Sequence, residues 1–158
     1  MRFFFFLILF CLKCLLLAEH LSIIPPKGWD CVSDPEQLPQ KVSLIYIGKG
    51  KTPFTPSLNI ASEETSLELE KYLALAKSYH EAQGDSQCKQ LGTIETKAGN
   101  AQLLQIDKTT QWGHIRFIQA VILKDSKAYV VTATSLQEEF ASLSPCIFKS
   151  IQSFSITK

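Results

Sequence analysis

Two periods of apolar positions alternate along this chain. In TSLELEKYLALAKSYHEAQG, Leu69, Tyr72, Leu73, Ala76 and Tyr79 recur at helical spacing and form one apolar stripe. Thr65 and Glu68 have the spacing of a capping box, in which the hydroxyl satisfies an orphan amide and the carboxylate reaches back. Glu63, Glu64, Glu68 and Glu70 crowd the positive end of the helix dipole, and Gly84 offers a left-handed cap at the other end. The period then changes to two. Gln102, Leu104 and Ile106 share one face of a strand, with Leu103 on the other. HIRFIQAVIL sets Ile115, Phe117, Gln119, Val121 and Leu123 against Arg116, Ile118, Ala120 and Ile122. AYVVTATS sets Tyr129, Val131 and Ala133 against Val130, Thr132 and Thr134. Strands apolar on both faces must be covered on both faces. The turns at Ala98-Gly99, Thr109 to Gly113 and Lys124 to Lys127 are short, which predicts an antiparallel meander.

The flanks are less regular. LSIIPPKGWDCVSD holds two short apolar segments around Pro-Pro-Lys-Gly, and predicts a hairpin of Leu21–Ile24 with Trp29–Ser33. KVSLIYIG and LNIAS read as strands, with Val42, Leu44 and Tyr46 on one face and Leu58 and Ile60 sharing a side. Near the C-terminus Phe140, Leu143, Ile147, Ile151 and Phe154 are spaced for one helical face. Pro145 interrupts this stretch and predicts two short helices or one kinked helix. SFSITK closes the chain as a short strand. The pattern as a whole is α+β, with an antiparallel sheet between helices.

The N-terminus follows neither period. Residues 3–12 are apolar apart from Cys11, Arg2 precedes them, Lys13 interrupts the run, and Cys14 to Ala18 resume it. A spanning helix needs about 20 apolar residues, so the run is short and carries a charge in its second half. A basic start, an apolar run and a small terminal residue fit a secretory signal peptide over residues 1–18, with an uncleaved anchor as the alternative. Lipidation at Cys11 or Cys14 is not supported, because Phe10 and Lys13 stand where a small residue belongs. The expected domain is then 19–158, a single unit of ordinary size, exported to the periplasm or envelope. On this reading the membrane is touched only through the leader, if it is uncleaved.

The 158 residues carry 16 basic and 15 acidic side chains, a formal net charge of +1, and two of the basic ones leave with residues 1–18. No net field exists to attract nucleic acid or an anionic membrane. Cys31, Cys88 and Cys146 remain after the leader. In an oxidising compartment they allow one disulfide and a spare thiol; otherwise they are small buried hydrophobes.

Several of these stretches together resemble one family. They are Pro26-Lys27-Gly28-Trp29, the strand PSLNIASEE leading into a helix that carries Tyr72, AGNAQLLQID, VVTATS, and a Phe-containing helix ending at Ser153-Phe154. Over roughly residues 21–157 the chain looks like the PsbP-like group, which includes the photosystem extrinsic protein PsbP and bacterial DcrB-type exported proteins. The resemblance implies an α/β/α sandwich and a binding, assembly or chaperone-like role without a shared active site. Some bacterial relatives are chaperones that hold apolar segments of secreted toxins.

Catalytic motifs are sparse. GKGKT suggests a phosphate loop, but Ile45 stands where that motif requires its first glycine. His80 and His114 have no carboxylate or Cys at ligand spacing, so no metal site is expected. No Gly-x-Ser-x-Gly elbow exists, and a Cys–His nucleophile pair of a hydrolase would have to assemble in space. No cofactor is implied. The better candidates are aromatic. Phe54 lies in a Pro-rich loop and Trp112 in the turn before GHIRF, and a ring at a loop tip can anchor a protein partner or apolar ligand. Each can instead fold back over the edge of the core, and Trp29 is expected in the core. The expected function is a non-enzymatic, exported binding or assembly protein of the bacterial envelope.

Overall fold

The computed structural model describes residues 19–32, 34–50 and 54–158. The signal-peptide or anchor reading of residues 1–18 lies outside the described residues. In chain order the elements are β1 (His20–Ser22), β2 (Asp30–Val32), β3 (Val42–Ile47), β4 (Ser57–Glu64), α1 (Leu69–Glu81), β5 (Ser86–Thr96), β6 (Gly99–Thr110), β7 (Gly113–Lys124), β8 (Lys127–Leu136), α2 (Gln137–Gln152) and β9 (Ser155–Thr157). Seven strands form one antiparallel sheet in the order β2-β3-β4-β8-β7-β6-β5, and β1 pairs with β9 in a separate two-stranded ribbon.

The meander from β5 to β8 is the expected one. Its registers place like with like: Ile118 faces Ala133, Ala120 faces Val131 and Ile122 faces Tyr129. The β7–β8 turn is a two-residue loop at Asp125-Ser126 with φ of 51° and 59°, the left-handed pair whose twist matches the strands it joins. Helix α1 carries the chain from β4, beside β8, to β5 at the far edge.

The two faces of the sheet are covered by different helices. Leu58, Ile60, Leu103, Ile118, Tyr129 and Val131 pack with Ile147, Ile151 and Phe154 from α2 and its C-terminal end. On the other face Cys88, Leu104, Ile106 and Val121 pack with Leu73 of α1, flanked by Leu69, Tyr72 and Ala76. The α/β/α sandwich implied by the family resemblance is the architecture observed. Trp29 packs against the α2-side core, and Gly48 is pressed so close that an added Cβ would lie 2.6 Å from its ring.

Three local expectations are corrected. The hairpin of 21–24 with 29–33 does not form: β1 pairs with β9, and β2 pairs with β3. Pro25 and Pro26 have no N–H to donate to a hairpin ladder. The capping box is displaced, since α1 begins at Leu69 and its N-cap Glu68 makes no side-chain cap bond. Thr65 Oγ1 instead accepts from Leu67 N at 3.1 Å. Tyr79, expected in the apolar stripe, is 65% exposed. Of the two alternatives at Pro145, a single helix is the one observed: α2 runs through the proline. The proline removes the N–H that would reach the Ala141 carbonyl. Ser144 Oγ donates to that carbonyl at 3.2 Å.

Candidate functional site

Both aromatic residues singled out in the sequence line one surface cavity, of about 670 Å³. Phe54 enters it from the β3–β4 loop and is half-buried. Trp112 enters from the β6–β7 turn and is 56% exposed. That turn is fixed by Thr110, whose Oγ1 accepts from Trp112 N and donates to the Gly113 carbonyl, both at 3.1 Å. Gly113 has a φ of 111°, which other residues rarely adopt. The indole therefore stands on a braced turn, with its ring in the cavity wall.

The rest of the lining comes from the junction of β8 and α2. Leu136 is buried and supplies an apolar wall, and Gln137 and Glu138 of the first turn of α2 line the cavity beside it. Gln111 and His114 add polar groups, and His114 Nδ1 lies 3.2 Å from Thr109 Oγ1. Apolar walls with a few placed polar groups are the usual make-up of a ligand pocket. His114 and Gln137 also border a polar cavity of about 470 Å³ that contains Asp107 and Lys108. There the Arg116 guanidinium holds the Asp107 carboxyl below its ordinary range through two bonds of 2.7 and 2.9 Å, and lies 5.1 Å from the Phe140 ring centre. Leu136, Gln137 and Glu138 were missed in the sequence. Their period belongs to a strand end and a helix start, and nothing local points them at Trp112.

A second groove, of about 550 Å³, runs between α1 and the sheet. Leu75 and Tyr79, 61% and 65% exposed, form its outer lip, and Val121 and Val130 lie below. At one side Glu63 accepts from Lys41 Nζ and Tyr72 Oη, each at 2.7 Å. These bonds, Lys41 first, hold the Glu63 carboxyl below its ordinary range. Burial, together with this carboxylate, raises the Tyr72 phenol. His80 also lines the groove, its imidazole lowered by burial.

The three thiols are free. Cys31 and Cys88 lie on β2 and β5 at opposite edges of the seven-stranded sheet. At about 4.8 Å per strand these strands stand far beyond the roughly 7 Å that a disulfide allows between Cα atoms. Cys146 belongs to α2 and its Sγ donates to Leu143 O at 3.0 Å, on the face opposite Cys88. No disulfide joins Cys31, Cys88 and Cys146 in this structure. Burial raises the Cys88 thiol above its ordinary value. No hydrogen bond joins a Cys to a His among the described residues. No group of three or more His, Cys, Asp or Glu suited to a metal ion lies among them either, nor does any helix there have the length and apolarity to cross a membrane.

The antiparallel sheet between two helices is an α+β sandwich, and its likeness to a solved PsbP shows it to be the PsbP-like fold. Solved structures carry the comparison further. LpqN, involved in cell envelope biogenesis of Mycobacterium tuberculosis, superposes with a TM-score of 0.63 at 13% identity, over 89% of this chain and 85% of that one. The cyanobacterial PsbP of Synechocystis sp. PCC 6803, CyanoP, gives 0.55 at 13% identity, over 87% and 92%. The Saccharomyces cerevisiae Ran-binding protein Mog1p gives 0.56 at 15% identity, over 87% and 93%. At these identities the likeness is one of fold. No family model matches the chain, and no curated protein matches its sequence.

Proposed function

We propose that this chain is an exported, non-enzymatic binding protein of the bacterial envelope that captures a protein partner or apolar ligand at the Phe54–Trp112 cavity. One observation carries the reading: two rings far apart in sequence meet in one cavity, and one of them stays largely exposed on a braced turn. An exposed indole beside a buried leucine is the kind of anchor on which interface energy concentrates. Folds of this kind include a Ran-binding protein and a protein involved in cell envelope biogenesis, which is compatible with a role in binding or assembly. Trp112→Ala should leave the melting temperature nearly unchanged and weaken capture by about 2 kcal/mol or more. Unchanged stability with unchanged capture would remove Trp112 from the site, and a large fall in melting temperature would assign it to the core. Export is tested separately by cell fractionation and N-terminal sequencing, and a cytoplasmic product that keeps Met1 would end that part of the proposal.

The α1 groove supports a second reading, a chaperone-like holder of apolar segments. It rests on Leu75 and Tyr79, which leave an apolar lip above the sheet. The two readings separate on paired variants: Trp112→Ala impairs capture under the first, and Leu75→Ser with Tyr79→Ser under the second.

A further inference from the structure

Another cavity, of about 550 Å³, opens where the chain enters the domain. Ile24, Pro25, Pro26 and Lys27 form one wall, and Lys97 of the β5–β6 turn and Lys149 of α2 stand around it. No Asp or Glu lines it. Among the described residues none of these three lysines has an ion-pair partner, whereas Lys41, Lys127 and Lys158 are each matched to a carboxylate. A nearly neutral chain therefore gathers three unpaired cations on one surface.

The apolar wall is held in place. Ile23 is buried in the core, and Ile24, the next residue, is 64% exposed. The Ile24 amide donates to Ser153 Oγ at 2.8 Å, and Ser22 Oγ lies 2.7 Å from Ser155 Oγ, so backbone and ribbon are fixed to the end of α2. Trp29 N closes a turn onto Pro26 O at 3.2 Å. Ile24 is thus presented on a rigid segment. The two prolines beside it carry no backbone N–H, so this rim loses fewer hydrogen bonds when water is displaced. An exposed branched aliphatic residue flanked by cations, without acids, complements an apolar layer edged by anions.

We propose that this face docks on an anionic lipid bilayer, with Ile24 entering the interface and Lys27, Lys97 and Lys149 meeting the lipid headgroups. A soluble anion would account for the lysines but not for the exposed isoleucine. The apolar run of the leader ends at Ala18, and the chain from there to Ile24 spans at most about 20 Å when fully extended. On the uncleaved-anchor reading of residues 1–18, that run would hold this face within about 20 Å of the bilayer. The site is independent of the Phe54–Trp112 cavity.

The test uses the full chain and sedimentation with vesicles of phosphatidylcholine, alone or mixed with phosphatidylglycerol. The quantity read is the ratio of binding to mixed over neutral vesicles, which removes any contribution of the leader common to both. Each lysine near an anionic surface is worth roughly a fivefold change, so K27Q/K97Q/K149Q should lower the ratio by about a hundredfold. The equally neutralised control K49Q/K71Q/K89Q should keep most of it. Circular dichroism melting of both variants verifies the fold, and Ile24→Ser provides a single-site second variant that should lower binding to mixed vesicles without changing charge. A triple variant that keeps the ratio, or a control that loses as much, would overturn the proposal. Loss of the ratio to excess inorganic phosphate at constant ionic strength would assign the lysines to a soluble anion and overturn it equally.

Discussion

The two faces of the sheet are built on unequal terms. On the α2 side, fourteen buried residues from β4, β6, β7, β8, α2 and both chain ends form one cluster. On the α1 side the buried cluster has five. α1 spends two of its large side chains, Leu75 and Tyr79, on the outer lip of a groove. Apolar area withdrawn from water is the main source of stability, so the α2 face should carry the fold. The α1 face keeps apolar surface in reserve, where a partner can still cover it. A domain of this size can leave one face thin because the other supplies a continuous core.

Substitutions can break or sharpen this contrast. The largest effect is expected at Phe154, fully buried at the α2–β9 junction. Phe154→Ala should cost about 3–5 kcal/mol in urea unfolding. Leu73→Ala, in the thinner cluster, should cost about 2–3 kcal/mol. Equal costs at the two positions would show that α1 holds the sheet as firmly as α2, and the contrast would fail.

Smaller effects sharpen it. Asp107→Asn breaks the two-bond pair with Arg116 beneath Phe140 of α2, and should cost about 1 kcal/mol at neutral pH, since both groups keep some solvent. The sign with pH follows from the lowered carboxyl. Its contribution is complete above the ordinary value near 4 and is lost as pH falls through the folded value, so wild type and variant should converge in acid. Chemical unfolding at neutral and acid pH checks this, and a gap that widens on acidification would contradict it. The smallest effect belongs to Tyr79, where Tyr79→Ser should change stability by no more than about 0.5 kcal/mol. A larger loss in thermal unfolding would mean that the lip of the groove is already part of the core.

The sequence alone determined the elements whose signal is local. β6, β7 and β8 were legible because each alternates along its own length and joins the next through a short turn. The stripe of α1 was legible through Leu73 and Ala76, although Tyr79 shares the spacing and stays outside, since a stripe states which residues align and not how wide the partner surface is. The candidate rings Phe54 and Trp112 were named from loop position and chemistry, without any sign that they meet. Their meeting depends on β3–β4 and β6–β7 reaching the same end of the sheet, which strand order decides. The pairing of β1 with β9, across more than a hundred residues, and the gathering of Lys27, Lys97 and Lys149 around Ile24 have the same origin. Periodicity is a property of neighbours along the chain. Contacts between distant segments follow from which apolar faces can be buried together, and only the folded structure decides that.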